Sequence, residues 1–277
     1  MVGRIFTTTT WRAAQVPARV AVMEPADFYS GIVVDIYAKL KASAFDPAPY
    51  IQFVRAHGSP ALEIGCGDGE PLLDVCAAGL EVDGIDSSLD MVKRCRQNAK
   101  ERGLQVNVFH QRAEALSLGR KYSAIYFAGP TFNLLPDDAT ARQSLLKIGE
   151  HLTDNGAALI PLWVPEPTPE SELGVSRISQ GESGVELRYT PLTESYDLDQ
   201  RTRITSSRYQ RVTDGETETA DREWIIHWQT PTSMRQLCEA TGLDVVSLLD
   251  DDTGEAASAA SGSFTATVRR ASQVSTN

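Results

Sequence analysis

The stretch with the most chemistry in its spacing is Leu62-Glu63-Ile64-Gly65-Cys66-Gly67-Asp68-Gly69, set between a short apolar run and a helical one. Glycines at 65, 67 and 69 let a backbone turn tightly and approach a ligand closely. Seventeen residues past Gly69 stands Asp86, closing the next apolar run. A carboxylate there can accept both hydroxyls of a ribose. Two cofactor classes use such a turn. A dinucleotide wants Gly-x-Gly-x-x-Gly, whose third glycine would fall where this chain has Glu70. A carboxylate facing a pyrophosphate is unfavourable, so a nicotinamide-dependent oxidoreductase is the weaker alternative.

Little else in the chain has reactive spacing. Cys66, Cys76, Cys95 and Cys238 form no CxxC pair, and His57, His110, His151 and His227 are scattered. Neither set has metal-ligand spacing, so no metal is expected. No nucleophilic triad is expected either. His227 is the best single candidate for a general base, because an unperturbed imidazole titrates near pH 6.5. It stands near the end of a β-like stretch, just before Pro231.

Composition narrows the class. The chain has 277 residues and is 42% hydrophobic, enough for one generous α/β domain or a core with an inserted cap. A formal charge of −11 repels phosphate backbones and no basic run offsets it, so nucleic acid is not an expected partner. No apolar run approaches the ~18 residues of a membrane span. Reduced, unpaired cysteines suit the cytoplasm. The first residues carry Arg4, Arg12 and Arg19 with no acid before Glu24, which reads as a flexible arm over residues 1–24.

The elements that must position these residues alternate. Apolar residues at Phe28, Ile32, Ile36 and Leu40 predict a helix from Pro25 to about Ala42, and a second helix runs from about Pro47 to Ala56. Strands are expected at 60–64, 82–85, 106–109, 124–127 and 157–164. Helices fall between at 70–78, 88–102 and 138–152. That rhythm implies a parallel sheet covered on both faces, a doubly wound α/β fold. It breaks at the proline- and acid-rich 165–172. Three β-like stretches follow, at 185–196, 203–212 and 222–229, punctuated by Asp197–Gln200 and by Asp214-Gly215, a hairpin signal. Trp224, Ile226 and Trp228 share one face of the last stretch; Ile225 and His227 share the other. A helix at 232–241 and strands at 245–249 and 264–268 return to the core. The organisation is therefore an arm (1–24), N-terminal helices with the glycine-loop core (25–164), an antiparallel insertion acting as a cap (165–230), the end of the core (231–270) and a disordered tail (271–277).

The glycine segment resembles the first motif of the class I S-adenosylmethionine-dependent methyltransferases. Three further segments resemble that family's later motifs in order. Val82-Asp83-Gly84-Ile85-Asp86-Ser87-Ser88-Leu89-Asp90-Met91 is similar to the second, Gln111-Arg112-Ala113-Glu114-Ala115-Leu116 to the third, and Tyr122 through Pro130 to the fourth. Leu152 through Ala157 is similar to the turn before the fifth strand. Arg112 departs from the family, which usually has Asp there. The resemblance implies a seven-stranded Rossmann-like sheet and S-adenosyl-L-methionine as cofactor. It implies contacts from Glu63, Gly65, Cys66, Gly67, Asp68, Gly69, Asp86, Ser87, Met91, Ala113, Glu114, Phe127 and Ala128. Glu114 is then left to meet the adenine amino group alone. The expected activity is methyl transfer to a small-molecule acceptor at N, O or C, with natural products and amino sugars in view. A non-catalytic protein that keeps the cofactor site is the remaining alternative. Tyr29, Tyr37, Phe132, Trp163 and Trp224, with Phe28 and Trp228, are the expected acceptor-pocket walls.

Overall fold

The protein was analysed as a computed structural model, which describes residues 24–40, 46–180 and 184–271. The expected arm and tail thus lie outside the described residues, apart from Glu24 and Ala271.

The core strands are β1 (Ala61–Ile64), β2 (Val82–Asp86), β3 (Asn107–His110), β4 (Tyr122–Phe127) and β5 (Leu152–Trp163), with β10 (Leu243–Asp250) and β11 (Ser263–Arg270) near the C-terminus. They form one sheet in the order β10-β11-β5-β4-β1-β2-β3. β1 pairs in parallel with β2 and β4, while β11 runs antiparallel to β5. The central strands β1 and β2 are buried at every position because both faces are covered. Helices α2 (Ala48–His57), α3 (Leu72–Ala77) and α4 (Leu89–Glu101) bury one face around Ala61, Ala124 and Tyr126. Helices α5 (Asp138–His151) and α6 (Pro231–Glu239) bury the other around Leu62, Ile64 and Phe127. The expected turn before β5 survives as a bulge. Tyr122 pairs with Leu152 and Ala124 with Ala157, so residues 153–156 loop out of register.

The insertion is a separate sheet of four antiparallel strands, β6 (Arg177–Gln180), β7 (Glu186–Asp197), β8 (Thr202–Thr213) and β9 (Glu216–His227). Three strands were expected. β6 was missed because Arg-Ile-Ser-Gln has four residues and one apolar side chain, too little for a period-two signal. Asp214 and Gly215 both adopt positive φ, 50° and 85°, at the β8–β9 hairpin, which is what a two-residue turn matched to strand twist requires.

The expected helix over 25–42 is also corrected. A short 3-10 turn at Pro25–Asp27 is followed by a break, and α1 runs from Ile32 to Leu40. Gly31 sits at φ +58°, outside helical geometry. The apolar spacing still named the right face: Phe28, Ile32 and Ile36 are buried against Leu187 and Tyr209 of the insertion sheet. Burying each such side chain contributes about 1.5–3 kcal/mol. Asp35 then ties α1 to both halves, meeting Arg94 of α4 at 2.6 Å and Arg211 of β8 at 2.8 Å.

Candidate active site: a cofactor cleft beside an aromatic cavity

The glycine loop leaves β1 under three different constraints. A Cβ on Gly65 would lie 2.4 Å from the Thr131 methyl, and one on Gly69 2.9 Å from Leu73, so these two are glycine because the protein packs against them. Gly67 sits at φ +53° with nothing within 4 Å of its would-be Cβ. Its open side is the room a ligand needs. Asp86, at the end of β2, faces this loop. Its carboxylate accepts from the Gly67 N–H at 2.8 Å and from the Ser88 N–H at 2.8 Å. A carboxylate has about four acceptor sites, so two stay available for ribose hydroxyls. Burial pushes the Asp86 pKa up, and the two N–H bonds oppose that shift.

A cavity of about 180 Å³ opens beside this loop, with Ile64, Gly65, Ser87, Ala113, Glu114 and Phe127 among its walls. Each of the four motif segments contributes at least one of these residues. Arg112 and Gln111 line it as well, and Ala113 and Glu114 reach it from a 3-10 turn, Ala113–Ala115. The chain segment before α1 crosses its mouth. Ser87 Oγ donates to the Ala26 carbonyl at 3.0 Å, Ser88 Oγ donates to the Tyr29 carbonyl, and Arg112 lies 3.6 Å from Glu24. The residue that departs from the family pattern thus has a local task.

Other expected cofactor residues lie elsewhere around the loop. Glu63 is fully buried on the α2–α4 face, where it raises the Tyr126 hydroxyl further after burial has already done so. The Cys66 side chain points into the core below Gly84, hydrogen-bonded to Cys95, which together with burial pushes its thiol well up. Met91 is buried in the first turn of α4, where Ser88 caps its N–H at 3.1 Å. Asp68 is half-buried and its carbonyl accepts from Asn98 at 2.8 Å. Ala128 is buried just past Phe127.

A second cavity, about 230 Å³, lies between α1 and the insertion sheet, walled by Phe28, Tyr29, Tyr37, Tyr189, Tyr209 and Trp224. Tyr29 and Tyr37 form an edge-to-face pair at 5.2 Å. Tyr29 also reaches toward the cofactor loop, its carbonyl accepting from Ser88 Oγ. Burial raises the Tyr37 hydroxyl to about 12, helped by the nearby charges of Asp68, Glu70 and Asp86. Burial raises Tyr29 well above its ordinary value, with Tyr37, Tyr209 and Asp86 adding to it. Both hydroxyls therefore stay protonated at neutral pH, close to the carboxylates of the cofactor loop.

Three expected acceptor walls and the expected base fall outside this cavity. Phe132 packs edge-on to Phe127 at 5.4 Å inside the core. Trp228 stacks on Tyr196 at 5.2 Å. Trp163 lines a neighbouring groove under Arg203. His227 faces away from Trp224, as the strand alternation required, and is itself buried. Its Nε2 lies 3.4 Å from Asp138 at the start of α5, and burial lowers its pKa, with Asp138 opposing. It lines neither cavity. Tyr189 and Tyr209 were missed. They are cross-strand partners, and only the register between β7 and β8 puts them on one face.

The open side of Gly67, the cavity drawn from four motifs and the buried Asp86 together define a Rossmann-like core with a cleft at the C-terminal ends of β1, β2 and β4. The comparisons with known proteins refine this. Residues 61–156 match the model of a methyltransferase domain. A dTDP-3-amino-3,6-dideoxy-alpha-D-glucopyranose N,N-dimethyltransferase of Streptomyces fradiae is 26% identical over 155 residues, covering 53% of this chain and 59% of that protein. Matches to two other curated relatives span 44% and 38% of their lengths. The CcbJ methyltransferase of Streptomyces caelestis superposes with a TM-score of 0.71 at 19% identity, over 89% of this chain and 99% of that one. The sugar N-methyltransferase KedS8 of Streptoalloteichus does so at 0.63 and 16% identity, over 97% and 100%. Over residues 61–156 the chain is similar to a methyltransferase domain, and its fold is that of solved S-adenosylmethionine-dependent methyltransferases.

Proposed function

We propose that this protein transfers the methyl group of S-adenosylmethionine to the amino nitrogen of a small, sugar-like acceptor in the cytoplasm. The observation that carries this reading is that Tyr29 and Tyr37, walls of the aromatic chamber, lie within electrostatic reach of the loop carboxylates Asp68, Glu70 and Asp86. The amino-sugar class is supported by the names of the Streptomyces fradiae and Streptoalloteichus relatives.

When bound, the cofactor supplies a methyl group on a sulfonium sulfur that leaves as a neutral thioether. The residues of this chain position and exclude water. Asp86 and the Gly67 loop fix the ribose, Ala113 and Glu114 the base, and the Tyr29 and Tyr37 rings hold the acceptor against the loop. Such alignment contributes roughly 7–11 kcal/mol to lowering the barrier. The reacting amine must arrive as the free base, because a protonated nitrogen has no lone pair to form the new N–C bond. The two tyrosines hold their own protons too tightly to accept another group's, so the proton leaves to water.

The test is a screen of amino sugars with methyl-labelled cofactor, read as labelled product and S-adenosylhomocysteine. Label on amines but not on their hydroxyl analogues is expected. Label on hydroxyl analogues alone would overturn the nitrogen assignment.

A further inference from the structure

The aromatic chamber does not end at Trp224. Tyr189, Trp224 and Arg177 are shared with a larger groove of about 550 Å³ that continues toward Trp163 and the proline-rich segment after β5. A ligand methylated in the chamber and larger than one sugar must extend into this groove. The charges of the groove then decide what the rest of the acceptor can be.

Three carboxylates line it, Glu166, Glu172 and Asp252, against two arginines. Both arginines already have carboxylate partners. Arg177 is held by Glu172 at 3.1 Å. Arg203 is buried, donates to the Glu166 carbonyl at 2.9 Å and lies 3.8 Å from Glu194. Glu194 is itself fixed by Thr168 N–H at 2.7 Å, the Thr168 hydroxyl at 2.6 Å and Thr205 at 3.0 Å. Burial pushes Glu194 up, but these bonds and Arg203 outweigh it and leave the carboxyl below its ordinary value, so it stays charged. The Arg203 guanidinium also lies 4.9 Å over Trp163 and 5.8 Å over Trp224, which fixes a flat wall rather than a mobile cation. Trp163, Trp224, Pro167 and Pro191 add apolar faces, and the exposed Glu166 and Asp252 offer acceptors to a ligand's hydroxyl or N–H groups.

Resting on the amino-acceptor reading above, we infer that this groove binds the part of the acceptor remote from the methylated nitrogen, and that this part is an uncharged, hydroxyl- or amide-bearing group rather than a nucleoside diphosphate. A diphosphate here would face Glu166 and Asp252 and would have to displace Glu172 from Arg177. The placement in a reaction sequence follows. The group transfer that moves the amino sugar from its nucleotide carrier to a neutral aglycone precedes methylation by this protein.

The experiment compares one 3-amino-3-deoxy sugar presented as its thymidine diphosphate conjugate and as a neutral aryl glycoside. S-adenosylhomocysteine formation by the full chain should favour the glycoside at least tenfold in kcat/KM. The double variant Glu172→Gln/Asp252→Asn, which removes two carboxylates and releases Arg177, should narrow that gap. A preference of the unaltered protein for the nucleotide conjugate overturns the inference, as does an unchanged gap in the folded double variant. If neither amine is methylated, the acceptor reading fails separately. The groove is then decided by calorimetry on protein loaded with S-adenosylhomocysteine, using thymidine diphosphate and the deaminated aryl glycoside as probes. Tighter binding of the glycoside supports the inference, and tighter binding of the diphosphate overturns it.

Discussion

The core and the insertion line their cavities with different kinds of groups. Around the cofactor cleft, the positioning groups are mainly backbone: the open face at Gly67, the turn at Ala113–Ala115 and one carboxylate, Asp86, that braces the loop it serves. Around the aromatic cavity they are side chains from α1, β7, β8 and β9. A backbone site is encoded within a few consecutive residues and tolerates few changes. A side-chain site is assembled across strands and can be altered one residue at a time, so one core can serve many acceptors. Substitutions in the two regions should therefore separate cleanly.

The sharpest separation is expected at Asp86. Asp86→Ala removes the ribose acceptor and releases the Gly67 and Ser88 N–H groups. Charge-assisted bonds of this kind contribute about 1.5–3 kcal/mol, which is roughly 10–100-fold in affinity. Calorimetry with S-adenosylhomocysteine should show that loss, while the acceptor KM at saturating cofactor stays near its normal value. A folded variant with unchanged cofactor affinity would place the ribose elsewhere.

The glycines sharpen the contrast inside the core itself. Gly65→Ala drives a methyl group to 2.4 Å from Thr131 at φ +74°, so it should lower stability by about 1–3 kcal/mol through overpacking, plus backbone strain. Gly67→Ala meets no protein atom and carries only the φ penalty of about 1–2 kcal/mol. Its added methyl projects into ligand space, so it should weaken the cofactor more than its Tm predicts. Equal ratios of affinity loss to Tm loss in the two variants would break the distinction between a packed and an open glycine.

On the insertion side, Trp224→Ala opens the wall shared by the chamber and the groove. The acceptor KM should rise about tenfold, the scale of losing one aromatic wall, with the cofactor Kd unchanged. Steady-state kinetics paired with calorimetry checks both arms, and a shift in cofactor affinity alone would move Trp224 to the wrong side of the comparison.

The same contrast explains what could be read in the sequence. The seven core strands and the glycine-loop segment were legible because each is local: β1 and its loop occupy nine consecutive residues, and Asp86 ends the next strand. The helix over 25–42 misled only in its continuity, since Gly31 breaks it while the apolar spacing stays in phase. The walls of the aromatic chamber were half legible. Tyr29, Tyr37 and Trp224 line the chamber, whereas Phe132 and Trp228 are core, because aromatic type does not tell a wall from a packed ring. Tyr189 and Tyr209 required a strand register, which no single stretch contains.

His227 gives the smallest expected effect and tests whether the insertion contributes proton chemistry at all. It lines neither cavity, so His227→Gln should keep turnover within about threefold, far from the roughly 10²–10⁴ of a lost general base. The acid limb of kcat/KM should follow the acceptor amine in both proteins, because only its free base reacts. The residue should be visible in stability instead. Burial holds the folded His227 pKa below its ordinary value, with Asp138 raising it and Arg201 lowering it again. As pH falls below about 6.5, the unfolded chain takes up this proton more readily than the folded protein does. The stability linked to His227 is thus intact above the unfolded pKa and is lost as pH falls from there toward the folded one. Glutamine does not titrate, so the Tm of His227→Gln should fall less than the unaltered protein's on going from about pH 7.5 to 5.5. Its Tm at pH 7.5 should be lower outright, because a packed side chain facing Asp138 is changed. A variant with normal Tm and a displaced acid limb would return His227 to the reaction and make the insertion a source of chemistry as well as shape.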